Sequence, residues 1–196
     1  MTRVVGIALV VATAVAGFGA RAIAGQGRGA TPALPVVVFE TAKGTFEVEL
    51  YPNEAPKSVQ HILTLVRRNF YNGLRVHRFE PGFVVQFGDP LTRDMTKKGA
   101  WGSGGSDRAI GVGEMHPKRT HKLGAVALAH PSDPTRADSQ IYLCVNSDPG
   151  RYSYMNGKYT VIGQVISGMN VVQQLRELDI IKRATVKGPA PAAKKP

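Results

Sequence analysis

Few residues of the kinds that carry out covalent or metal chemistry are suitably placed in this 196-residue sequence. His116, His121 and His130 are possible metal ligands, but their spacing fits no standard site. A Ser-His-Asp hydrolase is another possibility, but no Gly-x-Ser-x-Gly sequence supports it. The single cysteine, Cys144, lies within the apolar run 141–145, which predicts a buried and unreactive thiol. The sequence therefore gives no support for hydrolytic, metal or thiol chemistry.

The most informative segment is residues 76–90, which read VHRFEPGFVVQFGDP. This order of a His-Arg pair, Pro-Gly-Phe, two apolar residues, Gln and Gly-Asp resembles the signature of the cyclophilins, with Val76 in place of the leading aromatic residue. Further segments resemble the same family in the same order along the chain, and they lie at residues 43–57, 124–142 and 156–169. The resemblance extends over about residues 36–178, which is nearly all of the part expected to fold.

The resemblance implies an enzyme that speeds cis/trans isomerisation of X–Pro bonds in other proteins and so assists their folding. The rotational barrier of such a bond comes from amide resonance, and spontaneous exchange takes tens to hundreds of seconds. No bond is broken, so the enzyme needs neither a nucleophile nor a general base. It must favour the twisted transition state over the planar ground states. The family uses no metal and no organic cofactor, and it binds proline-containing segments in a shallow outer groove.

The resemblance also assigns the site. Arg78 takes the position of the family's catalytic arginine, whose fixed and permanently charged donors can bond to the pyramidal nitrogen of the twisted amide. Phe83 matches the floor of the proline pocket, and Gln86 matches the amide that binds the substrate backbone and helps to hold the arginine. The remaining substrate-binding positions are Val84, Ala129, His130, Gln140, Tyr142, Tyr154, Met155 and Tyr159. The Gly-rich stretch 101–105 resembles a loop that borders the neighbouring subsite.

Five positions besides Val76 depart from the usual family pattern. His130 stands where many members have Asn, Tyr142 where Phe is usual, and Phe87 where Gly is common, so its ring must fit beside the groove or into the core. Tyr154 replaces the Trp and Tyr159 the His of eukaryotic members, as in the bacterial branch of the family. Because the indole N–H is missing, we expect weak binding of the cyclic peptide cyclosporin.

The elements that must position these residues follow from periodicity and turn residues. The 22 Gly and 13 Pro residues indicate many turns, and the whole pattern suits a mainly β fold, a closed eight-stranded antiparallel β-barrel capped by two α-helices. The strands are predicted at 36–40, 45–50, 74–79, 83–88, 125–129, 141–145, 160–165 and 182–186, and the helices at 56–69 and 169–178. Residues 89–122 have no sustained period and are predicted to form a functional loop, although the part 106–121 matches the family poorly.

The two ends of the chain differ from the middle. A short positive start, an uncharged stretch at residues 4–20 and the triplet Ala22-Ile23-Ala24 are typical of a secretory signal, with cleavage expected after Ala24. The apolar stretch has 17 residues, at the short limit for a membrane span, so an uncleaved anchor remains the alternative. We therefore expect an exported protein that is periplasmic or extracellular, or tethered to the inner membrane. The predicted segments are 1–24 as signal or anchor, 25–34 as flexible leader, 35–186 as cyclophilin-like domain and 187–196 as disordered basic tail.

The formal net charge of +11 allows other interpretations. A basic surface attracts nucleic acid, anionic lipid or acidic proteins, but no nucleic-acid-binding motif accompanies the charge, and a merely soluble basic surface explains it as well. A basic adaptor for a membrane or nucleic acid stays an alternative. So does a binding module that grips proline-containing segments without turnover, although intact Arg78, Phe83 and Gln86 argue against it. We expect a monomer that binds no specific nucleic acid.

Overall fold

The computed structural model describes residues 1–2 and 33–188 of the chain. The predicted signal segment from residue 3, the leader up to residue 32 and the tail from residue 189 lie outside the described residues. The described part is mainly β, as predicted. Its strands are β1 (Val36–Thr41), β2 (Gly44–Leu50), β3 (Leu74–Arg75), β4 (Arg78–Glu80), β5 (Val84–Phe87), β6 (Ala125–Leu128), β7 (Ile141–Cys144), β8 (Val161–Ser167) and β9 (Ile180–Val186).

These strands form one antiparallel sheet with the order β3-β9-β1-β2-β8-β6-β7-β5-β4. The sheet curls into a half-barrel, and its two edges are β3 and β4. The prediction of a closed barrel of eight strands is therefore wrong in two respects. Within residues 33–188 the sheet has nine strands, and its edges are not paired with each other.

The extra strand arises because residues 74–79, predicted as one strand, change partners in the middle. The N–H of Val76 donates to the carbonyl oxygen of Asp179 (2.9 Å), beside β9, whereas the N–H of His77 donates to the carbonyl oxygen of Gln86 (3.2 Å), on β5. The chain before this point pairs with β9 and the chain after it pairs with β5. One continuous segment thus supplies both edges of the sheet.

Two α-helices pack on the sheet, α1 (Pro56–Arg67) and α2 (Met169–Gln174). Pro56 stands in the first turn of α1, where its missing N–H costs no hydrogen bond. The Glu114 carboxylate accepts bonds from the N–H groups of Lys57 (3.1 Å) and Ser58 (2.8 Å) and so caps this helix. The second helix ends four residues earlier than predicted, because Leu175 is already extended. No helix within the described ranges is long and apolar enough to cross a bilayer.

The core is rich in aromatic contacts. Phe39 stacks on Phe46 with ring centroids 5.0 Å apart, and Phe87 meets Phe39 (5.4 Å) and Tyr71 (6.1 Å) edge to face. Phe87 is fully buried, so the bulky ring in place of glycine fills the core and does not enter the groove. Cys144 is also fully buried, as predicted, and burial raises the pKa of its thiol to about 12.

The stretch 89–122, predicted as a functional loop without a sustained period, carries short 3-10 helices. Two lie at Pro90–Arg93 and Met95–Ala100, and two others in the described chain lie at Pro134–Arg136 and Pro149–Met155. An aspartate side chain caps each of the four by accepting a backbone N–H two residues later, and these residues are Asp89, Asp94, Asp133 and Asp148. In three of them proline follows the aspartate directly, a sequence signal for the start of a helix.

Candidate active site

A cavity of about 150 Å³ brings together most of the predicted site residues. Arg78 on β4 stands opposite Gln86 on β5, and Gln86 stands opposite Tyr142 on β7, so adjacent strands present these side chains in one row. The complete lining is Arg78, Val84, Gln86, Ala129, His130, Tyr142, Met155 and Tyr159. All eight of these positions were predicted, and they combine an apolar wall with one charged donor at the mouth.

The guanidinium of Arg78 is held from two sides. Its Nη1 donates to Oε1 of Gln86 (3.2 Å), and its Nε donates to Oε1 of Glu80 (2.9 Å). Nη2 also donates to the same Glu80 oxygen. The side chain is 45% exposed, so it reaches solvent at the rim of the cavity while these bonds limit its rotation.

Two amides link this arginine to the Gly-rich loop. Nε2 of Gln86 donates to Oε1 of Gln140 (2.9 Å), and Nε2 of Gln140 donates to the carbonyl oxygens of Gly102 and Gly104 (2.8 Å each). Every bond in this series runs in the same direction, with the arginine as first donor and the loop carbonyls as last acceptors. The series fixes the orientation of both amides, since each oxygen accepts from the previous member.

A second cavity of about 580 Å³ lies next to the first and shares Gln86, Ala129 and His130 with it. The predicted residue Gln140 lines this second cavity, together with the loop of residues 102–109. The larger cavity therefore extends the groove beyond the smaller one, which suits a ligand in the form of an extended chain.

Two carboxylates hold the loop beside this second cavity. Buried Asp89 accepts the N–H groups of Gly102 (2.6 Å) and Gly104 (3.0 Å), and Asp138 accepts the N–H of Ser106 (2.6 Å). A side chain on Gly104 would overlap the Asp89 carboxylate. The glycines of this loop thus permit backbone donors to approach buried carboxylates closely.

Tyr142 is fixed from behind by His121, which the sequence analysis considered only as a metal ligand. Oδ1 of Asn156 receives the backbone N–H of His121 (2.8 Å) and contacts the ring Nδ1 of the same residue (2.9 Å). Because this oxygen can only accept, Nδ1 carries the proton and Nε2 is the acceptor for the Tyr142 hydroxyl (2.8 Å). Burial lowers the pKa of His121 and raises the pKa of Tyr142, so both groups are neutral near pH 7.

The rim near His130 is partly occupied by internal contacts. The His130 ring stacks on Tyr159 with centroids 4.4 Å apart, and its Nε2 lies 3.0 Å from the carbonyl oxygen of Lys158. The N–H of Ala129 donates to the carbonyl oxygen of Gln140 (2.9 Å), so this particular main-chain group is not free to bind a peptide.

Phe83 and Tyr154 are the two predicted site residues that do not line either cavity. Phe83 stacks on buried Tyr152 (5.4 Å between centroids) and on Tyr154 (6.5 Å), whose side chain is strongly exposed. The Tyr152 hydroxyl donates to the carbonyl oxygen of Phe83 (2.7 Å) and accepts the N–H of Asn146 (2.8 Å). Phe83 thus stacks between buried Tyr152 and exposed Tyr154, outside the two cavities.

Within residues 33–188 the geometry gives no support to the hydrolase and metal alternatives. Asp138 lies between Ser106 and His61 and bonds to both, whereas a nucleophilic triad requires the histidine in the middle. The residues that the structure describes contain no group of three or more His, Cys, Asp or Glu side chains that could hold a metal ion.

A curled antiparallel sheet with a small cavity, a charged donor at its mouth and an adjoining groove suits an extended ligand that places one compact apolar group in the small cavity. The comparison with known families makes this description specific. Residues 36–191 match the model of the family described as cyclophilin type peptidyl-prolyl cis-trans isomerase. The chain belongs to this family and is an enzyme that isomerises peptidyl-prolyl bonds.

Individual relatives agree with this assignment. A probable peptidyl-prolyl cis-trans isomerase of Brucella suis is 35% identical over 156 residues, which is 78% of this chain and 77% of the relative. The peptidyl-prolyl cis-trans isomerase-like 1 of Aspergillus fumigatus is 35% identical over 71% of this chain and 80% of its own length. A peptidyl-prolyl cis-trans isomerase of Helicobacter pylori is 34% identical over 74% of this chain and 82% of its own length.

Solved structures support the fold. The crystal structure of a cyclophilin type isomerase from Cryptosporidium parvum matches with a TM-score of 0.67 at 23% identity and covers 80% of this chain and 99% of its own. The same protein in the presence of the dipeptide Ala-Pro matches with a TM-score of 0.66 at 24% identity, covering 79% of this chain and 99% of its own.

Among the residues that hold the site together, the sequence analysis assigned no role to Glu80 and no role in the pocket to His121. Glu80 stands two positions after Arg78 on a strand, so the period of two already predicts that both side chains share a face. His121 gave no comparable signal, because its partners Tyr142 and Asn156 are 21 and 35 residues away.

Proposed function

We propose that this isomerase acts on X–Pro bonds of exported proteins, assists their folding, and uses Arg78 to stabilise the twisted amide of the transition state. The observation that carries the mechanistic part is the guanidinium held by Gln86 at the mouth of the 150 Å³ cavity. This arrangement places a charged donor beside the apolar wall of the cavity.

The proposed mechanism follows from the donors of the arginine. Five N–H donors belong to a guanidinium, and bonds to Glu80 and Gln86 engage three of those of Arg78. One hydrogen on each Nη remains for the substrate. When the X–Pro bond twists, resonance is lost and the prolyl nitrogen becomes pyramidal with a localised lone pair. A donor aimed at this lone pair binds the transition state more strongly than either planar state, which is the requirement for catalysis.

The other residues hold the substrate on both sides of the rotating bond. Val84, Tyr142, Met155 and Tyr159 form the wall against which the proline ring packs, and Phe83 and Tyr154 extend this apolar surface outward. The residues Ala129, His130 and Gln140 border the larger cavity and hold the chain next to proline in an extended form. The ring is then fixed while the preceding carbonyl group rotates. The structure of a family member in the presence of Ala-Pro supports this dipeptide as the first probe.

The mechanism is tested by Arg78→Ala in an isomerisation assay on a short Ala-Pro peptide, followed by NMR exchange spectroscopy. Removing one transition-state donor typically costs roughly 10²–10³ in rate, and we expect a loss of this size with an unchanged circular dichroism spectrum. Arg183→Ala is the matched control, because this arginine also pairs with an exposed glutamate on a strand, Glu40, and lines neither cavity. A folded Arg78→Ala variant with nearly full activity would refute the proposed role.

The proposal of export rests on the residues 1–24. Expression in a Gram-negative host, cell fractionation and mass spectrometry of the N-terminus test it, with Ala24→Leu as the variant that removes the cleavage site. A soluble periplasmic or extracellular species beginning at Gly25 is the expected result. Full-length protein in the inner-membrane fraction would support the tethered form, and full-length soluble protein in the cytoplasm would contradict export.

The proposed ligands include cyclosporin as a weak binder, because Tyr154 offers no indole N–H donor. Titration of wild type and Tyr154→Trp with cyclosporin tests this point, and we expect the variant to bind more tightly. Equal affinities would show that this position does not limit binding. Gel filtration tests the proposed monomer.

A further inference from the structure

We propose that Glu80 is a positioning residue for Arg78, which orients the guanidinium so that its two remaining N–H groups face the substrate. The proposal rests on the proposed function, because it assumes that Arg78 is the donor in the transition state. It goes further by assigning a role to a residue that the family resemblance left without one.

The geometry that carries the proposal is a contact between two side chains of one strand. Residues two apart on a strand point to the same face, and Oε1 of Glu80 accepts hydrogen bonds from both Nε and Nη2 of Arg78. This contact occupies one edge of the planar guanidinium, while Oε1 of Gln86 accepts a hydrogen bond from Nη1 on another side (3.2 Å). Two acceptors on different sides define the plane of the guanidinium, whereas Gln86 alone would leave it free to turn.

The position of β4 explains why a second acceptor is needed. This strand is an edge of the sheet, so no further strand packs against the outer side of Arg78. A long side chain in this place loses much rotational freedom when it is ordered, and without support it samples many rotamers in solvent. In the described part of the chain, Glu80 is the one acid that forms an ion pair with Arg78. Glu80 thus supplies the restraint that a neighbouring strand would otherwise give.

The exposure of the pair separates this role from a structural one. The side chains of Arg78 and Glu80 are 45% and 48% exposed, and ion pairs in such places add little to stability. Loss of the carboxylate should therefore leave the melting temperature almost unchanged. It should lower kcat more than it raises KM, because an orientation needed in the transition state is lost.

The experiment compares Glu80→Ala, Glu80→Gln and Arg78→Ala in the full chain, with kcat and KM for an Ala-Pro peptide measured separately by NMR. We expect Glu80→Ala to lower kcat about 2- to 12-fold, the size typical of one long side chain that is no longer pre-ordered. Glu80→Gln keeps an acceptor oxygen and should recover part of the loss. Glu40→Ala is the control, because it removes an exposed strand glutamate paired with Arg183 away from both cavities.

Two further readouts separate a positioning role of Glu80 from direct contact with the substrate. In the Arg78→Ala background, Glu80→Ala should cause no additional loss of kcat, because the guanidinium that Glu80 positions is already absent. In the single variant Glu80→Ala, which keeps Arg78, the Nε hydrogen of Arg78 should exchange with water faster than in wild type, as measured by NMR.

The outcomes that contradict the proposal are distinct. If Glu80→Ala equals or exceeds wild-type activity while Arg78→Ala is inactive, the carboxylate does not position the donor, and the proposed function stands alone. If Arg78→Ala retains full activity, the proposed mechanism and the role of Glu80 both fail. Glu80 would have a structural role instead if Glu80→Ala melted at a lower temperature than Glu40→Ala while both variants had the same kcat.

Discussion

The buried hydrogen bond between Tyr142 and His121 gives a prediction whose size follows from the structure. Tyr142→Phe removes only the hydroxyl, which donates to Nε2 of His121 across 2.8 Å. His121 is 1% exposed, and its Nδ1 is already committed to Asn156, so its Nε2 would be left buried without a partner. The ring of residue 142 would still form the wall of the cavity. The substitution should therefore affect stability and leave catalysis nearly intact.

An unsatisfied buried acceptor costs about 1–3 kcal/mol. For a chain of this size each 1 kcal/mol shifts the melting temperature by roughly 2–4 °C, so we expect Tyr142→Phe to melt about 2–12 °C lower than wild type. Differential scanning calorimetry and urea unfolding measure this loss, and the Ala-Pro assay should give kcat within a factor of about two, because ring contacts with the substrate persist.

The companion variant Tyr142→Phe/His121→Leu replaces both partners by apolar groups. Such a paired replacement is often nearly neutral, so the double variant should regain part of the lost stability. A higher stability of this double variant than of Tyr142→Phe would identify the unpaired Nε2 of His121 as the cause of the loss in the single variant. A single variant as stable as wild type would refute the reasoning, since the hydroxyl would then contribute nothing to the folded state.

Two other predictions concern protonation and the Gly-rich loop. Burial lowers the pKa of His121, and it also lowers the pKa of His77, so below about pH 6.5 the unfolded chain binds protons that the folded chain does not. The free energy of unfolding should fall as the pH drops from 6.5 towards the folded-state pKa values, by up to about 1.4 kcal/mol per pH unit for each histidine. Urea unfolding should show a shallower fall for Tyr142→Phe/His121→Leu, which lacks one of the two histidines. An identical slope would contradict the assignment to His121. Gly104→Ala should destabilise the fold by about 1–3 kcal/mol and lower kcat/KM, because its methyl group would overlap the Asp89 carboxylate and displace the carbonyl that binds the amide series. Gly99→Ala, with open space around the new methyl group, is the matched control, and equal losses in both variants would disprove the steric argument.

The strands were predictable where one face is buried, because alternation alone defines them. In β2, for example, Phe46, Val48 and Leu50 are buried in turn. The division of residues 74–79 was not predictable, since it depends on partner strands that lie far along the chain. The count of strands and the open edges of the sheet follow from that division, so both escaped prediction as well.

The cavity residues were predictable for a different reason. Arg78 and Gln86 belong to a compact motif whose spacing resembles that of a known family, and this motif assigns both residues to the same site. Contacts particular to this chain lie outside any motif. His121 behind the cavity and Asp89 beneath the loop were not assigned to the site, because the sequence does not tell which distant atoms meet a given side chain.

The pairing of the first strand with the last has a consequence for how the domain is made. Val37 stands opposite Val186, and the N–H of Lys187 donates to the carbonyl oxygen of Val36 (2.8 Å). Strand β1 cannot complete its pairing until residue 186 has been synthesised, so the full sheet can form only when almost the whole domain is present. Because the two ends lie side by side, a short linker could join them and new termini could be opened at the exposed turn around Lys43. The domain is thus a natural candidate for circular permutation and for insertion into a loop of another protein.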